Sequence, residues 1–135
     1  MGAWGVLAFD NDTANDWAYE LESSRDLSLI ETTLARVEAA GNNYLDADAA
    51  CEALAACEVL ARLKGHPGYT NAYTVKVDAW VENHAGEPPT QLVTRAEAVI
   101  DRILNDNSEL RDLWAESDID AWKRSVDDLR QRLSA

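Results

Sequence analysis

Apolar residues recur along most of this chain at intervals of three and four, the spacing that lines up side chains on one face of an α-helix. Ala14, Trp17, Ala18 and Leu21 set the first stripe and predict a helix over about Asp12 to Glu22, with Ser23-Ser24-Arg25-Asp26 as a connection. Leu27, Ile30, Leu34 and Val37 set the second, closed by Gly41 as a C-cap. Ser28 and Glu31 fit a capping box, so this helix starts at Asp26 or Ser28. Asp46 begins a third helix that ends before Gly65. Its alanines, leucines and cysteines leave only a narrow polar stripe of Asp48, Glu52 and Arg62, which predicts the central, buried helix of the fold.

The loop Lys64-Gly65-His66-Pro67-Gly68-Tyr69 follows, and after it comes the one ambiguous stretch. Tyr73, Val75 and Val77 alternate as in a strand, whereas Val77, Trp80, Val81 and the closing Gly86 suit a helix. No partner strand is visible elsewhere, so 71–84 is read as a helix from about Thr74. Past Glu87-Pro88-Pro89, with Thr90 as cap, Leu92, Val93, Ala96, Val99, Ile100, Ile103 and Leu104 form the cleanest stripe. Ser108 caps a short helix carrying Leu110, Leu113 and Trp114. Asp118 starts the last, with Ile119, Trp122, Val126, Leu129 and Leu133 on one face.

Ahead of the first helix, Val6, Leu7, Ala8 and Phe9 run together with Trp4 just upstream. Burying a Phe or Leu stabilises by roughly 1.5–3 kcal/mol, so this arm is expected to lie packed on the helices. Gly2 and Gly5 flank Trp4 and allow close backbone approach. Asp10, Asn11 and Asp12 are three candidate N-caps in a row; with Asp10 as cap, Phe9 packs on Ala14 as a hydrophobic staple. The predicted fold is all-α: a single compact domain over 1–135, a bundle of about six to seven helices with an extended N-terminal arm packed on it.

The run Gly2-Ala3-Trp4-Gly5, then Phe9-Asp10-Asn11-Asp12, Ala14, Asp16 and Trp17, resembles the start of a bacterial family known only as domain of unknown function 4259. Ser108-Glu109-Leu110, Leu113-Trp114 and Asp120-Ala121-Trp122 are similar to that family's C-terminal pattern. The resemblance implies a small α-helical domain over essentially the whole chain and no assigned activity.

Composition narrows the choice of function. With 47% hydrophobic and 27% charged residues the chain is globular, and at 135 residues it can bury a sizeable core. A net charge of −13 repels phosphate backbones and anionic membranes and favours a basic protein partner, so neither nucleic acid nor membrane is expected as partner. No stretch is long and apolar enough to span a bilayer, and the opening lacks the basic region of a secretory signal. Cys51 and Cys57 lie six apart in one helix, about 9 Å of rise and beyond disulfide reach. They are read as free, buried and inert thiols, which suits a cytoplasmic protein.

Four carboxylates, Asp10, Asp12, Asp16 and Glu20, are the candidate metal ligands, the last three at i, i+4, i+8 on one helix. A calcium loop is excluded, since Asn15 and Leu21 stand where its glycine and closing glutamate belong. With two histidines and no CxxC, HExxH, GxSxG, P-loop or GxGxxG pattern, no catalytic residue and no cofactor are assigned. His66 in its glycine-rich loop is a candidate general base or binding residue; His84 reads as a helix C-terminal cation. Of five tryptophans, Trp17, Trp114 and Trp122 are assigned to the core by stripe position. Trp4 and Trp80 fit either a core or a partner surface and, with His66 and Tyr69, make up the candidate binding residues.

The sequence favours a non-catalytic interaction module, inhibitor- or immunity-like, that binds a basic partner. Its alternative is a metal-assisted hydrolase or small-ligand-binding enzyme built on the N-terminal carboxylates. Assembly with further copies of itself stays open.

Overall fold

The central element of the computed structural model, which describes residues 3–135, is the alanine-rich helix α3 (Ala47–Leu63). Around it lie α1 (Asp12–Glu22), α2 (Ser28–Ala40), α4 (Val75–Asn83), α5 (Thr90–Leu104), α6 (Glu109–Ala115) and α7 (Ile119–Ser134). All six pack against α3, and among the described residues there are seven helices and no strand. The alanines at 49, 50, 53, 55, 56 and 61 are buried, and it is their small size that lets so many helices come close to one axis.

The helix ends follow local chemistry. Asp46, Ser108 and Asp118 each accept a backbone N–H of the first turn, at 3.1, 3.5 and 3.1 Å, as N-cap side chains do. Gly41 ends α2 at φ 54°, which an L side chain rarely adopts. Of the three candidate caps of α1 one serves, and two other expected caps, Ser28 and Thr90, are displaced. Asn11, not Asp10, caps α1 by accepting from Ala14 N at 2.8 Å. The staple is therefore replaced by the Asn15 amide, which donates to the carbonyls of Phe9 and Asn11. Ser28 is the first residue of α2 and accepts nothing from Glu31; instead it donates to Asp26 Oδ1. Thr90 is likewise inside α5, with Pro89 at the cap.

The arm is docked, with Phe9 completely buried, but it doubles back instead of running extended. Trp4 N donates to Asp10 O at 2.9 Å, Ala3 bridges Asn11 antiparallel, and Leu7 N donates to Asp10 Oδ2 at 3.2 Å. A Cβ on Gly5 would run into the Asp10 carboxylate, so glycine is required there for closure. Gly2 lies outside the described residues.

A second closure fixes the opposite side of the fold. Leu45 N donates to Asn107 O at 2.8 Å and Glu109 N to Leu45 O at 2.9 Å, joining the α2–α3 and α5–α6 turns. Arg102 donates to the carbonyls of Gly41, Asn43 and Asn107 across the same seam. This tie holds α6 at the N-terminal end of α3, where one wall of the cleft described next is built.

Candidate binding cleft

Between the arm, α3, α6 and α7 the helices do not close on one another, and a cleft of about 780 Å³ remains. Val6 and Leu7 line it from the arm, Leu54 from α3, Leu113 and Trp114 from α6, and Trp122 from α7. Five carboxylates (Asp46, Asp48, Glu58, Glu109 and Asp128) and two guanidinium groups (Arg124 and Arg132) complete the wall. A largely apolar concavity of this size with a few fixed polar groups is what small-ligand sites look like.

The inner end is built on a buried ionic network. Glu58 is 1% exposed, and Arg132 from α7 grips it through two parallel bonds, Nη1 to Oε1 at 2.7 Å and Nη2 to Oε2 at 2.9 Å. Arg132 also donates to Asp128 Oδ2 and to the His66 carbonyl, at 2.8 and 3.1 Å. Burial alone would lower the pKa of Arg132, but the hydrogen bonds and charge of Glu58 and Asp128 outweigh it and hold the guanidinium more firmly protonated than usual. One turn along α3, buried Arg62 lies 3.4 Å from Glu58 Oε1 and donates to Asp78 at 2.8 Å and to Tyr69 O at 2.6 Å. Thr74 Oγ1 closes the far side on Asp78 at 2.9 Å.

Tyr69 connects this network to the arm. Its ring lies under Arg62, 5.1 Å from the guanidinium carbon to the ring centre, and its hydroxyl accepts from Phe9 N at 3.2 Å. Burial first, then the charge of Glu58, pushes the phenol pKa well above 10. Gly68 lies against Arg132; a Cβ there would stand 2.5 Å from its Cζ. So the loop after α3 is held to α7, and through Tyr69 to the arm, by groups that are mutually neutralised.

The outer end, around the first turn of α3, is different. Asp46 caps the helix, Glu109 Oε1 accepts from Ala47 N at 2.8 Å, and Asp48 accepts from Thr13 Oγ1 at 3.1 Å. Cys51 lines the cleft one turn further in, its thiol pushed up to about 12 by burial first and then by Asp48, Asp46 and Glu52. A thiol so shifted is neutral near pH 7; Cys57 is buried against Ala96 O as expected, whereas Cys51, also expected to be buried, is only partly covered because it faces the cleft.

With this geometry in view, the comparison with known proteins is informative on one point: the model of a domain of unknown function, DUF4259, matches residues 2–125. The chain belongs to the DUF4259 family. No curated protein and no solved structure matches it. The match takes in the arm, α1 to α6 and the cleft-lining start of α7 in this DUF4259 chain, and ends before Asp128 and Arg132.

The residues singled out from sequence are scattered over the fold. Among the candidate metal ligands, Asp10 turns back into the arm, while Asp12, Asp16 and Glu20 are exposed along α1. Among the described residues, no group of three or more His, Cys, Asp or Glu is arranged to hold a metal ion. Of the four candidate binding residues only Tyr69 lines the cleft. His66 lies behind it, Nδ1 against Arg132 O at 3.0 Å. Trp80 is buried, donating to Ser24 O at 3.0 Å and stacking on His84. Trp4 is half exposed, 5.0 Å from the Tyr73 ring. Trp17 and Trp122 are buried as expected, whereas Trp114 is only partly covered and faces the cleft. The residues missed were Glu58 and Arg132. Glu58 and Arg62 form an i, i+4 pair on an otherwise apolar helix face, and that spacing was the available signal; Arg132, 74 positions away, gave none.

Proposed function

We propose that this protein is a non-catalytic binding module and that the cleft between the arm, α3, α6 and α7 is its site. The observation that carries this reading is a cleft of about 780 Å³ walled mainly by apolar side chains, in which the charged groups at the inner end are paired with one another. At the inner end Glu58, the one buried carboxylate, is taken up by Arg132 and Arg62, and towards the outer end burial holds the Cys51 thiol neutral. The alternative of a metal-assisted hydrolase on Asp10, Asp12, Asp16 and Glu20 draws no support from their dispersal.

The test uses an uncharged fluorescent probe, N-phenyl-1-naphthylamine. Saturable enhancement at one site per chain is expected, and it should disappear in Ala121→Trp and Leu113→Trp, which fill the cleft, while the helical circular dichroism is retained. Non-saturable binding, or full binding by both variants, would remove the reading.

A second reading, docking of a basic protein partner, is favoured by one surface. Trp4, Tyr19, Tyr73 and Val75 are exposed, with Lys76 Nζ 4.5 Å above the Tyr19 ring. Asp12, Asp16 and Glu20 share the Tyr19 face of α1. Aromatic anchors within a field that is acidic on balance suit a steered association. Retention of a basic partner at low salt should be lost in Trp4→Ser/Tyr73→Ser, which keeps the net charge; retention that follows charge alone would dismiss this surface.

A further inference from the structure

We infer that the cleft takes a small amphiphilic cation, an apolar body lodged against Leu113, Trp114 and Trp122 with its positively charged head at the outer end of α3. This deepens the binding-module reading and rests on it. The apolar walls set the body, because a head-to-tail polar ligand would leave its groups unpaired against them. The head is set by the imbalance of charge along the cleft. At the outer end Asp46, Asp48 and Glu109 surround the first turn of α3 and line the cleft. The cation beside them is Arg36, 3.7 Å from Asp46 and ion-paired to Glu52. The α3 N-terminus adds about half a positive charge, which does not cancel what remains.

At the inner end the sign is spent internally. Arg132 is flanked by Glu58 and Asp128, so an anionic head would find no free guanidinium there. Arg124, the other cation of the wall, has no ion pair among the described residues, yet the wall's five carboxylates still outnumber its two guanidinium groups, so the balance of charge stays negative. The raised pKa of Cys51, to which Asp48, Asp46 and Glu52 all contribute after burial, reports the same negative potential inside the cleft. The volume of about 780 Å³ leaves ample room for such an apolar body and lies within the usual range for ligand sites.

Three probes with one tail separate the claims: octyltrimethylammonium, octyl sulfate and octyl glucoside, each below its micelle concentration, measured by displacement of N-phenyl-1-naphthylamine. The cation is expected to bind at least about fivefold tighter than the sulfate, a preference that shrinks with added salt. Asp48→Asn and Glu109→Gln keep their hydrogen-bond acceptors; each should weaken the cation by about two- to fivefold and leave the glucoside unchanged. If the sulfate binds as well as the cation, or neither variant distinguishes cation from glucoside, the cationic head is refuted while displacement by the glucoside keeps the cleft as a site. If none of the three displaces a probe that itself binds saturably, the amphiphilic ligand class falls and the binding reading stands on the probe; if the probe does not bind saturably, both fall.

Discussion

In the first two turns of α3, Asp46, Asp48 and Glu52 lie at the surface or partly covered, and their partners are neutral donors or the exposed Arg36. Two to three turns further along, Glu58 and Arg62 on the same helix are buried and engaged on nearly every side. The residue types are alike; what differs is the cover. Beyond Leu63 the chain returns over the helix through His66, Gly68 and Tyr69, and α7 lays Arg132 across it. Nothing comparable covers the first turn. A charge withdrawn from water must be matched by partners or it costs several kcal/mol, so the covered end acts as structure. The open end keeps a field that can act on something outside the protein.

The contrast makes unequal demands on mutations. Glu58→Gln should be the most damaging, leaving Arg132 and Arg62 buried against a neutral amide: about 3–5 kcal/mol of stability, a fall in Tm of more than about 10 °C by calorimetry. A loss under 1 kcal/mol would mean that the inner end is as hydrated as the outer. Gly68→Ala comes next. Its Cβ must displace the Arg132 guanidinium from the position Glu58 fixes, and about 1–3 kcal/mol should be lost in denaturant unfolding.

Smaller effects sharpen the picture. Tyr69→Phe removes the acceptor of Phe9 N and should cost about 1 kcal/mol, appearing chiefly as faster amide exchange in residues 4–10 while the amides of α3 stay protected. Asp48→Asn should change stability by less than about 0.5 kcal/mol. Its effect belongs to Cys51: with the thiol pushed up to about 12, alkylation at pH 8 should be far slower than for free cysteine and should go on rising with pH past the point, about 8.5, where free cysteine levels off. Removing the Asp48 charge lowers the thiol pKa, so the rate at a fixed pH should increase. A wild-type rate equal to that of free cysteine would contradict the burial of this thiol.

Much of the scaffold was legible because it is local. The stripe Ala14–Trp17–Ala18–Leu21 and the caps Asp46, Ser108 and Asp118 each depend on neighbours within a turn or two, and the structure has them where the pattern put them. The helix over Val75–Asn83 was decided by the absence of a partner strand, a negative signal that sufficed. Caps failed where one polar residue had competing partners: Asp10 serves Leu7 N within the arm, which leaves Asn11 to cap α1. The arm's reversal depends on Gly5 meeting Asp10, a contact the alternation of apolar residues does not encode.

The cleft was hardly legible. Trp114 sits on its stripe as a core residue would, and only the cleft left between the arm, α3, α6 and α7 turns that face into a wall. Glu58 was passed over because a single acid on a helix of alanines reads as part of its polar edge, and its partner Arg132 arrives from the far end of the chain. The carboxylates at Asp12, Asp16 and Glu20 attracted attention by spacing alone, and spacing on an exposed face gathers no site.

The five tryptophan indole N–H signals offer the most direct test of the cleft as the binding site. In a ¹⁵N-edited spectrum titrated with octyltrimethylammonium, Trp114 and Trp122 are predicted to shift together and saturably, while Trp17 and Trp80, bonded to Thr33 and Ser24, stay in place. Movement of Trp4 alone, or of none of the five, would contradict it.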